Sequence, residues 1–317
     1  MVCDFCAIYS RENGSALNVK LLKERLIKTV LFLCAASSIG VVFFIIFSVV
    51  QEGYPQIIDW FLHGFGMTWT PAIGPYGIIP FIFATVYVGL GATLVAVAIG
   101  LPCAVYLSEF ASTRLRNVVK PALEMLTGFP SVVMGVVGFT VVCFTFQRYL
   151  GGYANGYSVL AAWIVLGVMC LPTIASVSED ALRAVSQDLR EASLASGATK
   201  LQTTFRVLIP VATPGILASV LLALGNAMGE TMAVIWVIGN VFPAPPITLN
   251  PYIPSNVLTA LIANRAQGDS TYGSPEWGAV FAAAFVLFLV TAAMNLAMRT
   301  IVKKGKGGSY ASSRRGA

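Results

Sequence analysis

The sequence predicts an all-α, polytopic membrane bundle of six transmembrane helices, and three observations carry that expectation. Residues of the AVILMFWYC set make up 57% of the 317 positions and charged residues only 11%, against about 25% charged in ordinary soluble domains. Mean hydropathy is +0.79. Six continuous apolar stretches can each supply the roughly 20 helical residues that cross a hydrocarbon core about 30 Å thick. The same composition excludes a soluble globular enzyme, a disordered chain and a collagen-like repeat. A membrane β-barrel would show short alternating segments in place of these runs.

The stretches justify themselves in order. The first, 29–50 (TVLFLCAASSIGVVFFIIFSVV), is too long for a signal-peptide core, and no small-x-small cleavage site follows it. It reads as a retained span. The second, 77–107, exceeds one straight crossing and is expected to tilt or project beyond the bilayer. A cytoplasmic helix over about 117–129 leads into the third, 131–149. The fourth, fifth and sixth cover 158–178, 212–238 and 277–300. The organisation is then an N-terminal tail (1–28), a membrane domain (29–302) and a basic C-terminal tail (303–317). No internal repeat is visible at the residue level, which counts against secondary transporters with echoing halves.

Net charge is +6, and its placement explains it without nucleic acid. Eighteen of the twenty Lys and Arg residues fall before span one or in the segments after spans two, four and six; only Arg148 and Arg265 fall on the other side. The positive-inside rule then places both termini in the cytoplasm. Trp60, Trp69, Tyr76, Tyr153, Tyr157 and Trp277 sit in the outer loops, as expected of interface anchors among the membrane lipids.

Several chemistries find little support. His63 is the single histidine, so metal hydrolysis, haem ligation and Ser-His-Asp catalysis lack their ligands and bases. Cys3 and Cys6 form C-D-F-C without a second ligand pair. Cys34, Cys103, Cys143 and Cys170 lie in spans and read as small apolar residues. No P-loop is present, since the tail G-K-G-G-S lacks the spacing. No cofactor is expected.

Two segments carry functional signals. Between spans four and five, about 179–211, Ala181, Leu182, Val185, Leu189, Ala192 and Ala195 recur at helical spacing. Gly197 then supplies a turn, and Leu201, Phe205 and Leu208 continue on a second short helix ending before Pro210. This helix–turn–helix on the basic side suits either docking into a partner's groove or covering the bundle end. In span five, Glu230 is the only acidic residue well inside an apolar run, with Asn226 four residues before it on the same helical face. Gly225 and Gly229 form G-x-x-x-G, which permits close helix approach. A carboxylate at this depth costs roughly 2.5–3.5 kcal/mol, so it should face the bundle interior. It either glues helices or forms a gate in a substrate path.

Glu191-Ala192-Ser193, then Gly197, then Val207-Leu208-Ile209-Pro210 resembles the E-A-A, x3, G, x9, I-x-L-P pattern of ABC importer permeases, with Ser193, Val207 and Ile209 as mild departures. A narrower resemblance, running from about residue 75 to 300, is to the PstC-type permeases of phosphate importers. It rests on A-L-G-N-A-M-G-E-T-M-A-V (223–234) with I-G-N (238–240), G-F-P-S-V-V-M-G (128–135) and I-P-S-N-V-L-T-A-L-I-A (253–263). The resemblance implies a MetI-like fold and no enzymatic activity in this chain. It also implies an assembly with two ATPase subunits, a second permease subunit, homologous or identical, and an extracytoplasmic phosphate-binding protein. Glu191, Ala192, Gly197 and Pro210 would couple to the ATPase. Glu230, Asn226, Thr231, Pro130 and Ser131 would line the translocation path or its gate. Asn226 stands where the family commonly has arginine, and it cannot neutralise Glu230; the second permease would supply the charge, or Glu230 would carry a proton. Pro130-Ser131 opens span three, where a helix start can favour an anion or serve as packing. The proline-rich outer loop (243–254) and the helix after it, with Val257, Leu258, Leu261 and Ile262 on one face, would cap the path, meet the binding protein or lie on the membrane surface. The alternatives are a permease for sulfate, molybdate or phosphonate, an ion-coupled secondary transporter or channel, and an intramembrane enzyme. Glu230 has no nearby histidine or second membrane acid for the last of these.

Overall fold

Long apolar runs with few helix breakers fold as helices because a bilayer offers no partner for unpaired backbone groups. The computed structural model describes the backbone of residues 2–63, 65–70, 76–149, 156–243, 245–268 and 271–313, with side chains over 24–300 of these ranges except His63. Cys3, Cys6, His63, Tyr153 and the basic C-terminal cluster therefore lie outside the described side chains. Among the described residues no strand forms beyond a single bridge, Trp69 to Tyr76. Among the described residues, six helices are long and apolar enough to cross a membrane.

The chain divides into two compact units, 1–52 and 53–317. Helix α1 (Val2–His63) contains the boundary, and its apolar side chains from Leu26 to Phe47 are largely exposed. In the second unit, α2 (Ile79–Val105) continues through a π turn, Tyr106–Phe110. The amphipathic α3 (Thr113–Thr127) follows, with Ser112 capping its first turn. The third span is α4 (Ser131–Val137), a π turn over Gly138–Cys143 and α5 (Phe144–Tyr149). The fourth is α6 (Val159–Arg183). Then come α7 (Gln187–Ala195), α8 (Lys200–Thr203), a π turn over Thr204–Leu208, α9 (Ile209–Gly229), α10 (Met232–Val237), α11 (Leu258–Gln267) and α12 (Pro275–Ser313).

The core sits where α2, α6 and α9 meet, built from small residues such as Ala92, Ala96, Ala161, Ala162 and Ala223 around Leu166 and Ile174. Gly91 shows how close the helices come: a Cβ there would lie 2.0 Å from the Trp163 ring. That ring takes the space instead, and its Nε1 donates to the Tyr87 carbonyl at 3.3 Å.

Three expectations change in the outer layer. Trp60, Trp69 and Tyr76 are buried, and do not serve as interface anchors. They fold inward because Trp60 Nε1 donates to the Tyr76 carbonyl at 2.8 Å and the Trp69 N–H to the Pro243 carbonyl at 2.8 Å. The Trp69 and Tyr76 rings meet edge to face at 5.3 Å. The helix expected near 257–262 is α11, and it enters the bundle, contrary to a surface-lying loop. Val257, Leu258 and Leu261 are buried, and the Leu258 N–H donates to Thr85 Oγ1 on α2 at 2.9 Å. Finally, span five is not one helix, because α9 stops at Gly229.

Candidate functional site

A cavity of about 550 Å³ opens between the end of α3, the start of α4, the middle of α6 and the end of α9. Ser131, Asn226 and Glu230 line it together with Thr127, Thr173 and Cys170. Of the residues expected on a path or gate, these three converge. Pro130 is the N-cap of α4 and Thr231 that of α10; both border the lining without joining it. The Thr231 hydroxyl donates back to the Gly229 carbonyl at 3.3 Å. Hydroxyls and an amide supply the lining's neutral polar groups, Glu230 is its carboxylate, and none of the described lining residues is basic.

Glu230 does not share a continuous helical face with Asn226, as the spacing predicted. Its backbone is extended (φ −69°, ψ 128°), and α10 starts only at Met232. The physical reason lies in the neighbours. Gly225 and Gly229 weaken the helix, and the groups freed by the break find new partners. Glu230 Oε1 accepts the Ala233 N–H at 3.4 Å, at the N-terminus of α10, and the Glu230 carbonyl accepts the Thr259 hydroxyl from α11 at 3.0 Å. The carboxylate and Asn226 meet through the cavity they both line. G-x-x-x-G likewise does not seat a neighbouring helix among the described residues. A Cβ at Gly229 would meet nothing within 4 Å, and at Gly225 only Asn295 Oδ1 at 3.7 Å.

The segment between spans four and five has a different partition from the one its periodicity predicts. The helix expected from Ala181 onward is two pieces: α6 runs on to Arg183, the chain turns, and α7 starts at Gln187. Leu182 and Val185 are thereby buried with the bundle, while Leu189 and Leu194 on α7 are exposed. Gly197 is the turn, at φ +85°. Its N–H donates to the Leu194 carbonyl and that of Ala198 to Ser193, the paired bonds of a Schellman cap. Thr199 and Gln202 then form a capping box that restarts the chain as α8. The second helix does not end before Pro210. It passes through the π turn into α9, and the wider turn just before Pro210 accommodates a residue that offers no N–H. Glu191, Ala192 and Gly197 are exposed together at the tip, whereas exposed Pro210 lies apart from them at the root of α9.

Sequence reasoning missed a charged cluster behind this tip. Glu179 is 1% exposed, although hydropathy ends span four just before it. Its Oε2 accepts from Lys120 Nζ of α3 at 2.6 Å, and its Oε1 faces Arg116 Nε and Arg183 Nη1, each 3.6 Å away. Lys120 also pairs with Asp180. Partial burial pulls the Lys120 ammonium down, but its hydrogen bonds to Asp180 and Glu179 outweigh that and hold it above the ordinary lysine value. Alongside, Arg190 of α7 reaches Glu109 in the π turn after α2. Only the Glu179–Arg183 spacing of four was visible in the sequence; the other pairs join distant segments.

Residues 96–306 match the family described as binding-protein-dependent transport system inner membrane component. Among curated proteins, the chain is 36% identical over 242 residues to the probable ABC transporter permease protein YqgH of Bacillus subtilis, covering 76% of this chain and 77% of that one. It is 31% identical over 253 residues to the phosphate transport system permease protein PstC of Xylella fastidiosa, covering 74% and 76%. Among solved structures, the inward-facing MetNI methionine ABC transporter aligns with a TM-score of 0.59 at 19% identity, over 72% of this chain and 95% of that one. That likeness speaks to the fold. With six membrane-crossing helices, the core of α2, α6 and α9, and a match over two thirds of its length, the chain belongs to the binding-protein-dependent inner membrane components, the permease subunits of ABC importers.

Proposed function

We propose that this permease passes inorganic phosphate from an extracytoplasmic binding protein into the cytoplasm, driven by ATP hydrolysis on separate subunits. The observation that carries the substrate is similarity to phosphate permeases named PstC from several bacteria and one archaeon, at 29–31% identity over more than 70% of the chain. In this reading one of two ATPase subunits engages the exposed tip formed by α7, the Gly197 turn and α8, with Glu191 as the charged contact. Movement of that tip passes into α9, whose far end carries Asn226 and Glu230 on the cavity wall. A second permease faces the same path, and both termini lie in the cytoplasm, as the basic segments favour.

A second reading keeps the architecture and changes the anion. It is favoured by the Bacillus relative, whose name specifies no substrate, and by the absence of a basic side chain from the described cavity lining. Uptake of labelled phosphate, sulfate and molybdate separates the two in cells lacking only this gene, with and without restored expression. Loss and recovery of phosphate uptake alone supports the first reading, and a defect confined to another anion replaces it. Glu191→Lys is expected to abolish co-purification of the ATPase while membrane insertion persists.

A further inference from the structure

The tip segment poses a mechanical question. Helix α7 buries no residue of its own, so packing alone does not fix it. It is fixed by polar ties at two places. Ser193 Oγ lies 2.9 Å from Thr203 Oγ1, which joins α7 to the helix continuing into α9. Arg190 supplies the other tie. Its Nη1 donates to both carboxylate oxygens of Glu109 at 2.6 Å, and its Nη2 donates to the Leu182 carbonyl, at the end of α6, at 2.7 Å. The Arg190 and Glu109 side chains are only 16% and 6% exposed, so water screens the pair little. One side chain thus grips the cytoplasmic ends of α2 and α6, the two helices packed most closely in the core. Arg116 clamps the same end of α2, donating to the Leu107 and Ser108 carbonyls at 2.9 and 3.0 Å.

We propose that Arg190 is a positioning residue that transmits displacement of the tip segment to α2 and α6 through Glu109 and the Leu182 carbonyl. This rests on the reading of the tip as the ATPase contact and adds the route by which that contact reaches the bundle. A guanidinium holding a carboxylate and a carbonyl at once has a fixed geometry, so α7 moves with the ends of α2 and α6 and not independently of them. Without Arg190, the tip loses its tie to α2 and keeps only the short 184–186 turn to α6 and the route through α8 into α9.

The test uses the complete complex purified with its ATPase. Asn226→Cys places a thiol at the cavity, and its labelling with and without ATP is read at that position by mass spectrometry. ATP is expected to change labelling severalfold in that background. Arg190→Met and Glu109→Gln should bring the ATP-dependent change down to about twofold or less, a loss on the scale at which residues along a coupling route act, with ATP hydrolysis kept within about twofold. The exchanged pair Glu109→Arg with Arg190→Glu should regain part of it. If Arg190→Met does not assemble, Arg190→Lys is read, which keeps the charge but not the double grip; an intermediate loss is expected. A parental ATP response in Arg190→Met, or in Arg190→Lys where that is read, overturns the proposal. Normal ATPase recovery with Glu191→Lys would overturn the docking reading itself, independently of the Arg190 result.

Discussion

Lys120→Met leaves a carboxylate stranded inside the protein. Glu179 is 1% exposed and Lys120 24%, and the ammonium makes the hydrogen bond to Oε2 at 2.6 Å. After the substitution Glu179 keeps two guanidinium groups, each 3.6 Å from Oε1 and at ion-pair distance without a hydrogen bond. Breaking a buried pair by removing one partner costs about 3–5 kcal/mol. The remaining guanidinium groups offset part of that, which puts the loss at about 3 kcal/mol, or a midpoint lowered by roughly 6–10 °C. Lys120→Met with Glu179→Gln removes both charges of the pair, and Arg116 still has its two carbonyl partners. The double variant is therefore expected above the single one. The assay is heating of the detergent-purified protein at one fixed rate, because large proteins commonly unfold irreversibly, followed by the monodisperse fraction on size exclusion. A Lys120→Met midpoint within about 1 °C of the parent, or a double variant less stable than the single, would refute the reasoning.

The remaining expectations concern the same cluster, the tip and the cavity. Because its folded pKa is raised, the stabilisation from Lys120 is complete below the ordinary lysine value of 10.5 and lost as pH rises through the folded value. The midpoint gap between parent and Lys120→Met should thus be flat through neutral pH and close only in strong alkali; a gap that closes near neutrality would contradict the assignment. Gly197→Ala meets no steric obstacle but places a Cβ at φ +85°, costing about 1–2 kcal/mol. It should reduce co-purified ATPase about tenfold, with Gly197→Asn nearer the parent, and equal recovery of all three would count against the turn. Glu230→Gln keeps an acceptor for the Ala233 N–H while removing the charge from the cavity. Uptake should fall with expression unchanged, and parental uptake would reduce Glu230 to a cap.

Much of the fold was legible because a bilayer forces its spans into continuous apolar runs, and those runs fall on the long helices. The Gly197 turn was legible too, since the left-handed region selects glycine. Glu179 was not. Hydropathy treats the first charge as the exit from the membrane, whereas this carboxylate is sealed by a lysine from a distant helix. The break at Glu230 was hidden for a related reason: G-x-x-x-G fits a close helix contact and a weakened helix equally well, and only Thr259 and the Ala233 N–H decide between them. The cavity joins three separate stretches, 126–134, 166–173 and 225–230, which no spacing in the sequence announces.

The two interruptions flanking α9 have a consequence for how force can travel. The 21 residues of Ile209–Gly229 make a rod about 31 Å long, close to the thickness of the hydrocarbon core. A π turn sits at one end and the extended Glu230 at the other. A helix with an interruption at each end tilts as a unit more readily than it bends, with Pro214 as the one internal break in its hydrogen bonding. Interruptions at both ends with a helix between them make this span a connecting rod.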